Sequence, residues 1–186
     1  MPVSMKDIIA DTYAAMIRQK GVDKITVKAL IQECGISRQT FYYHFQDLME
    51  VIEWSVQRAM EHMLEQSLQA STPREAMEIF VSSSLKNRAM LFRLLDSNRR
   101  EQVEVLIVKA IRSYLEEMIR NRAPQMTLNY QDLEALLDFY SFGVTGLLLK
   151  SCAQKLPDEA LLADQMYRLL AGQMLSPAAP ETLEAK

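Results

Sequence analysis

Proline and glycine are scarce, six and five in 186 residues, about half the usual share, since the two together average roughly 12% of a soluble chain. Sheets joined by tight turns need more of both. Cysteine is scarcer. Cys34 and Cys152 stand far apart and form no C-x-x-C pair, which excludes a disulfide framework and a zinc site and leaves two reduced thiols. The two histidines, His44 and His62, have no serine or cysteine partner at a revealing spacing, so nucleophilic catalysis has no support and no metal or cofactor is expected. Long apolar runs are also missing. The longest, Phe142 to Leu149 with Thr145 inside it, falls far short of the ~20 residues that cross a bilayer. Met1 leads into Pro2, Val3, Ser4, Met5, Lys6 and Asp7, without a basic stretch, an apolar core or a small-residue cleavage site. We therefore expect no secretory leader, no membrane contact and a cytoplasmic location.

What remains is an ordinary soluble composition, 49% hydrophobic and 24% charged, long enough for one domain or two small ones with a real core. The net charge of -3 says little until it is located. Between Arg18 and His44 five basic residues (Arg18, Lys20, Lys24, Lys28, Arg38) face two acidic ones (Asp23, Glu33). A basic end therefore sits on an acidic body.

Apolar spacing predicts an all-α chain of about nine helices and no strand. The first runs from Ser4, its cap, to Lys20, with Ile9, Tyr13, Met16 and Ile17 on one stripe before Gly21. Thr26 caps a short second helix carrying Val27, Leu30, Ile31 and Cys34, which Gly35 stops. Ser37 caps a third, to about Phe45. A long fourth helix spans Asp47 to about Ala70, with Val51, Trp54, Met60 or Ala59, Met63 and Leu64 inward, and breaks at Ser71-Thr72-Pro73. Further helices are expected from Arg74 to about Asn87, with Met77, Phe80 and Val81 inward, and from Ala89 to Asp96. Another follows a cap at Ser97 or Asn98 and ends before Ala123-Pro124. The last two run from cap Asn129 to about Lys155 and from about Glu159 to Leu175. Residues 176–186, rich in Pro and Ala without a period, read as a disordered tail.

The stretch Thr26 to Phe45 carries function. Two short capped helices joined by Cys34-Gly35-Ile36 have the layout of a helix-turn-helix, whose second helix enters the major groove while the first braces across the backbone. Ile36, Phe41 and Phe45 would lock the second helix onto Val27, Leu30 and Ile31. The other side presents Arg38, Gln39, Thr40, Tyr42, Tyr43 and His44, all able to bond phosphates or base edges. His62, mid-helix without acidic partners, reads as a solvated or core-edge imidazole. Arg99-Arg100-Glu101 reads as a solvated helix start, though both arginines could also face DNA or an anionic effector.

The run Thr26-Val27-Lys28-Ala29-Leu30 through Gly35-Ile36-Ser37-Arg38-Gln39-Thr40-Phe41-Tyr42-Tyr43-His44-Phe45 resembles the DNA-binding domain of TetR-type bacterial transcriptional regulators. The likeness covers about the first 65 residues; beyond them it rests on helix count, length and the final apolar pair. It implies a homodimeric regulator, most often a repressor, that binds a palindromic operator and is released by an effector in the C-terminal helices. Carried over by position, Thr26 would cap the bracing helix and touch a phosphate, and Lys28 would add a cationic contact. Ser37 would cap the reading helix, Arg38, Gln39 and Thr40 would read bases, and Tyr42, Tyr43 and His44 would hold phosphates. Family members often place a lysine shortly after the His-Phe pair; here Gln46-Asp47-Leu48-Met49-Glu50 follows, which removes one phosphate anchor and predicts a shallow salt dependence. Residues 1–46 would form the DNA head and 47–175 the effector and dimerisation body.

Within that body, the helix after Asn129 is apolar nearly all round and needs cover on more than one side. A second subunit would supply it through a four-helix interface with the last helix, made by Leu133, Leu137, Tyr140, Gly143, Val144 and Leu147 with Leu162, Met166, Leu169 and Leu170. The other reading is the central helix of a monomeric bundle. Twelve methionines suit an adaptable interior, and Phe80, Phe92, Tyr114, Met118, Phe139 and Tyr140 are candidate walls for a small apolar or amphipathic effector. The segment from Tyr140-Ser141-Phe142-Gly143-Val144 to Leu156 also resembles regulators of the dihydroxyacetone-kinase type. That resemblance gives the alternative function, an adaptor with the same head that senses a partner protein rather than a metabolite.

Overall fold

A computed structural model describes residues 4–122, 128–154 and 157–174. Among these the chain is all-helical: α1 (Met5–Lys20), α2 (Val27–Cys34), α3 (Arg38–His44), α4 (Leu48–Gln69), α5 (Pro73–Lys86), α6 (Arg88–Leu95), α7 (Arg100–Arg122), α8 (Tyr130–Cys152) and α9 (Glu159–Leu170). Most boundaries follow from side chains that satisfy the free N–H groups of a first turn. Ser4 accepts from Asp7 N, Thr26 from Ala29 N, Ser37 from Thr40 N, Thr72 from Glu75 N and Asn129 from Asp132 N. Gly35 closes α2 in the left-handed region at φ 65°, where a side chain would be strained.

Some expected boundaries differ. The last helix ends at Leu170 rather than Leu175, because Gly172 adopts φ 68° and Gln173 N turns back to Arg168 O. The start of α7 draws on two sources. Ser97 Oγ accepts from Arg99 N at 3.2 Å, while Asn98 N donates to the Asp23 carboxylate, between α1 and α2, at 3.2 and 3.3 Å. The eighth helix ends at Cys152, short of the expected Lys155, because Ala153 N and Gln154 N turn back to Leu149 O and Ser151 O; the tail 176–186 lies outside the described residues.

Packing produces two apolar clusters. The first gathers Ile9, Tyr13 and Ile17 of α1, Leu30 of α2, Phe41 of α3 and Val51 and Ile52 of α4, and is completed by Leu94 of α6 and Val103 of α7. The second joins Met63 of α4, Phe80 and Val81 of α5, Tyr114 of α7, Leu137, Val144 and Leu148 of α8, and Met166 of α9. Thus α4 and α7 run through both clusters. Near the far end of the pair, Tyr114 Oη donates to the buried Ser67 Oγ at 2.8 Å. Arg122 Nη2 donates to the carbonyls of Ser67, Leu68 and Ala70, closing the C-terminus of α4.

Candidate nucleic-acid interface

The geometry of α3 follows from two phenylalanines. Phe41 and Phe45 are buried in the first cluster, and Ile36 packs against it from the turn. Fixing those positions turns the remainder of α3 outward. Arg38, Gln39, Tyr42 and Tyr43 are exposed, Tyr43 at 84%, with Thr40 and His44 half-buried beside them. The Arg38 guanidinium stacks 5.4 Å from the Tyr42 ring centroid, and Tyr42 in turn meets Phe41 edge-on at 5.3 Å. This stack extends from the core to the surface and holds Arg38 forward at little entropic cost. Tyr43 and His44 meet edge-on at 5.0 Å. Thr26, Lys28 and Ser37 are also exposed. Thr26 and Ser37 each spend their hydroxyl acceptor on a helix cap, and Ser37 Oγ also bonds Thr40 Oγ1 at 2.8 Å. All nine residues singled out in the sequence therefore retain surface.

The segment Gln46–Glu50, which follows Phe45 without a lysine, is used for capping. Asp47 accepts from Met49 N and Glu50 N, and Glu50 reaches back to Gln46 N. Sequence reasoning missed how the head is tied to α4. Lys6 Nζ lies 4.5 Å from the Trp54 ring centroid and 5.3 Å from that of Phe45. Asp7 accepts from Trp54 Nε1 at 3.2 Å and from Arg58 Nη1 at 2.9 Å, and Arg58 also pairs with Asp11. The Ser4 hydroxyl, then Trp54 and Arg58, hold the Asp7 carboxyl below its usual range despite some desolvation. Asp7 and Asp11 one turn apart, with a lone Arg58 on α4, were the available signal.

The expected effector walls do not converge. Phe80 and Tyr114 pack ring to ring at 4.9 Å inside the second cluster, and Met118 lies half-buried against it. Phe92 is 52% exposed beside an open hollow of about 420 Å³ with Arg88, Arg93 and Cys152. Phe139 is 74% exposed and meets half-buried Tyr140 edge-on. Of the six, Phe92 and Tyr114 each line a cleft, but not the same one, and the cleft at Tyr114 has the more apolar lining. That cleft, about 420 Å³, lies between α4 and α7. Val56, Met60 and Leu64 of α4 and Leu106, Ala110 and Tyr114 of α7 form its floor; Glu53, Gln57 and Glu61 line one rim and Lys109, Ser113 and Glu117 the other. The described residues contain no group of three metal-ligating side chains. Burial raises the thiol pKa of both Cys34 and Cys152, which makes them poor nucleophiles.

Residues 3–50 match the family described as "Bacterial regulatory proteins, tetR family", and residues 71–171 match "Transcriptional regulator C-terminal region". The chain belongs to the TetR family. Its members are DNA-binding transcriptional regulators rather than enzymes. No curated protein sequence matches it. Among solved structures, this TetR-family chain is similar to the dihydroxyacetone kinase operon activator DhaS, with a TM-score of 0.69 and 15% identity over 91% of this chain and 96% of the other. It is similar to Thermus thermophilus FadR, a TetR-family repressor in complex with lauroyl-CoA, with a TM-score of 0.67 and 17% identity over 94% and 97%. Bacillus halodurans FadR, a fatty acid degradation regulator, gives 0.59 and 18% over 92% and 97%. At such identities the likeness is one of fold.

The expected dimer face of this TetR chain needs correction. Leu137, Val144, Leu162 and Met166 are buried in its own second cluster, because α5 and α7 pack against those sides of α8 and α9. They are not available to another subunit. Leu133, Tyr140, Leu147 and Leu170 are half-buried against the same cluster, while Gly143 and Leu169 are exposed. The apolar surface left on these helices also includes Phe139, Phe142 (65% exposed), Gly146 and Leu161. No described helix is long and apolar enough to cross a membrane.

Proposed function

We propose that the chain acts as a homodimeric repressor, binding a palindromic operator through α3 of each head and released by an effector seated between α4 and α7. The outward presentation of Arg38, Gln39, Tyr42 and Tyr43 from a helix anchored by Phe41 and Phe45 carries this reading. Arg38, Gln39 and Thr40 read base edges. Thr26, Lys28, Tyr42, Tyr43 and His44 hold the flanking phosphates, and Ser37 caps the reading helix. DNA contact thus belongs to residues 1–46, and effector binding and dimerisation belong to 47–175.

The exposed residues Phe139, Phe142, Gly143, Gly146, Leu161 and Leu169 pair with their copies across a two-fold axis, since Phe139 (74% exposed), Phe142 (65%) and Leu161 (52%) are large apolar side chains left open to solvent. Nothing stands within 4 Å of where a Cβ would be at Gly143 or Gly146, which leaves room for another backbone to approach. Coupling follows from α4. Its Glu53–Leu64 stretch lines the cleft, while Trp54 and Arg58 grip α1. A ligand that displaces α4 moves its head relative to the partner's, and affinity falls by the differential binding free energy of the two arrangements.

Selection of binding sites from random DNA tests the reading. The expected product is an inverted repeat with half-sites about one helical turn apart, of order 10 base pairs or above. Enrichment of no sequence over scrambled competitor would overturn it, and a reporter gene behind the selected site separates repression from activation.

A further inference from the structure

The rims of the α4–α7 cleft carry a charge pattern that bears on what enters. Glu53, Gln57 and Glu61 succeed one another at four-residue steps along α4, so they form one polar rail roughly 12 Å long. Lys109, Ser113 and Glu117 repeat the arrangement on α7. Beneath both rails lies the continuous apolar floor already described. Three carboxylates therefore face one ammonium. Glu117 is paired with Arg120 at 2.5 Å, and Glu61 accepts from Gln57 Nε2 at 2.9 Å. Neither Glu53 nor Glu61 has a cationic partner among the described residues. An apolar floor favours an alkyl or aromatic body, and two uncompensated carboxylates beside it favour a positive head and disfavour a polyanion.

We propose that the cleft selects an amphipathic cation, an apolar body bearing an ammonium or comparable basic group, and rejects acyl carriers with phosphate charges such as the lauroyl-CoA held by the Thermus relative. This rests on the reading that the cleft is the effector seat. The cationic head lies at the Glu53–Gln57–Glu61 rail, with its apolar body against Met60, Leu106 and Ala110.

The test is calorimetric titration of the full-length protein with decyltrimethylammonium below its micellar concentration, alongside decanoate and lauroyl-CoA. The cation is expected to bind about tenfold or more tightly than decanoate, the preference fading as salt rises. The paired substitutions Glu53→Gln and Glu61→Gln should remove most of that preference while leaving thermal stability unchanged. Ala110→Trp, or Ser113→Trp should the first variant fold poorly, fills the cleft and should abolish binding. If lauroyl-CoA or decanoate binds more tightly than the cation and Ala110→Trp abolishes that binding, the cleft is the effector seat but the proposed ligand class is wrong. If nothing binds, or binding survives the tryptophan, both readings fail. Binding of a basic amphipathic helical peptide in place of the alkylammonium would also overturn the small-molecule proposal.

Discussion

Replacing Arg38 tests the interface at the side chain on which sequence reading most depends. Arg38 is exposed, and its guanidinium is held over Tyr42 at 5.4 Å, so the residue contributes to recognition far more than to the fold. A bidentate arginine–guanine contact is worth about 1–3 kcal/mol. With one copy in each half-site, Arg38→Ala should weaken a dimer by about 2–6 kcal/mol, or some 30-fold to more than 10⁴-fold on the selected operator. Random duplex should lose far less. Arg38→Lys keeps the charge but not the planar fork and should recover non-specific binding without operator preference. The assay is competition titration on operator and scrambled duplexes at several salt concentrations. If Arg38→Ala lowers both affinities equally and reduces the salt slope by about two, one phosphate per head, then Arg38 is a phosphate contact and the assignment to bases is wrong.

Other consequences follow from single groups. Tyr13 is buried, its hydroxyl has no hydrogen-bond partner among the described residues, and burial pushes its pKa up to about 12. The folded state keeps this proton between about pH 10 and 12 while the unfolded chain loses it, so stability is intact below pH 10 and falls as pH rises to 12. Tyr13→Phe should raise stability by about 1 kcal/mol at neutral pH and flatten that alkaline decline in urea denaturation; a loss of stability would show that the hydroxyl is satisfied. Gly143→Leu meets nothing within 4 Å in its own chain, so it should leave the helical content of the folded chain intact while converting dimer to monomer in light scattering. An unchanged mass at low concentration would remove α8 from the interface. Asp23→Ala deprives Asn98 N of its acceptor and should cost about 1 kcal/mol, with Asp23→Asn recovering most of it. Equal stability of all three proteins would count against that tie.

Local chemistry was legible in the sequence and tertiary choice was not. Ser4, Thr26, Ser37 and Asn129 cap helices through bonds to N–H groups three residues away, a range that sequence spacing resolves directly. The face of α3 was readable for the same reason: Phe41 and Phe45 lie one turn apart, which leaves Arg38, Gln39, Tyr42 and Tyr43 nowhere to go but outward. On α8 that logic failed. Apolar residues surround the helix, so periodicity could not tell Leu137 and Val144, which face the chain's own core, from Phe139 and Phe142, which face away. The cleft was invisible because its walls come from two helices with α5 and α6 between them in sequence, and its polar rails are ordinary solvated positions on either helix alone. The bond from Asn98 N to Asp23 spans 75 residues, beyond any local pattern.

Leu94 and Val103, from the middle of the chain, fill the same apolar cluster as Ile9, Leu30 and Phe41, so the amino-terminal segment is not a detachable cassette. A chimera spliced at residue 46 would strip that cluster of Leu48, Val51, Ile52, Leu94 and Val103 together, and the transplanted segment would meet foreign side chains where its own wedges belong. Engineers who wish to give this regulator a new sensor must transfer those five positions as a set, or else retain the native body and redesign the specificity of α3 in place.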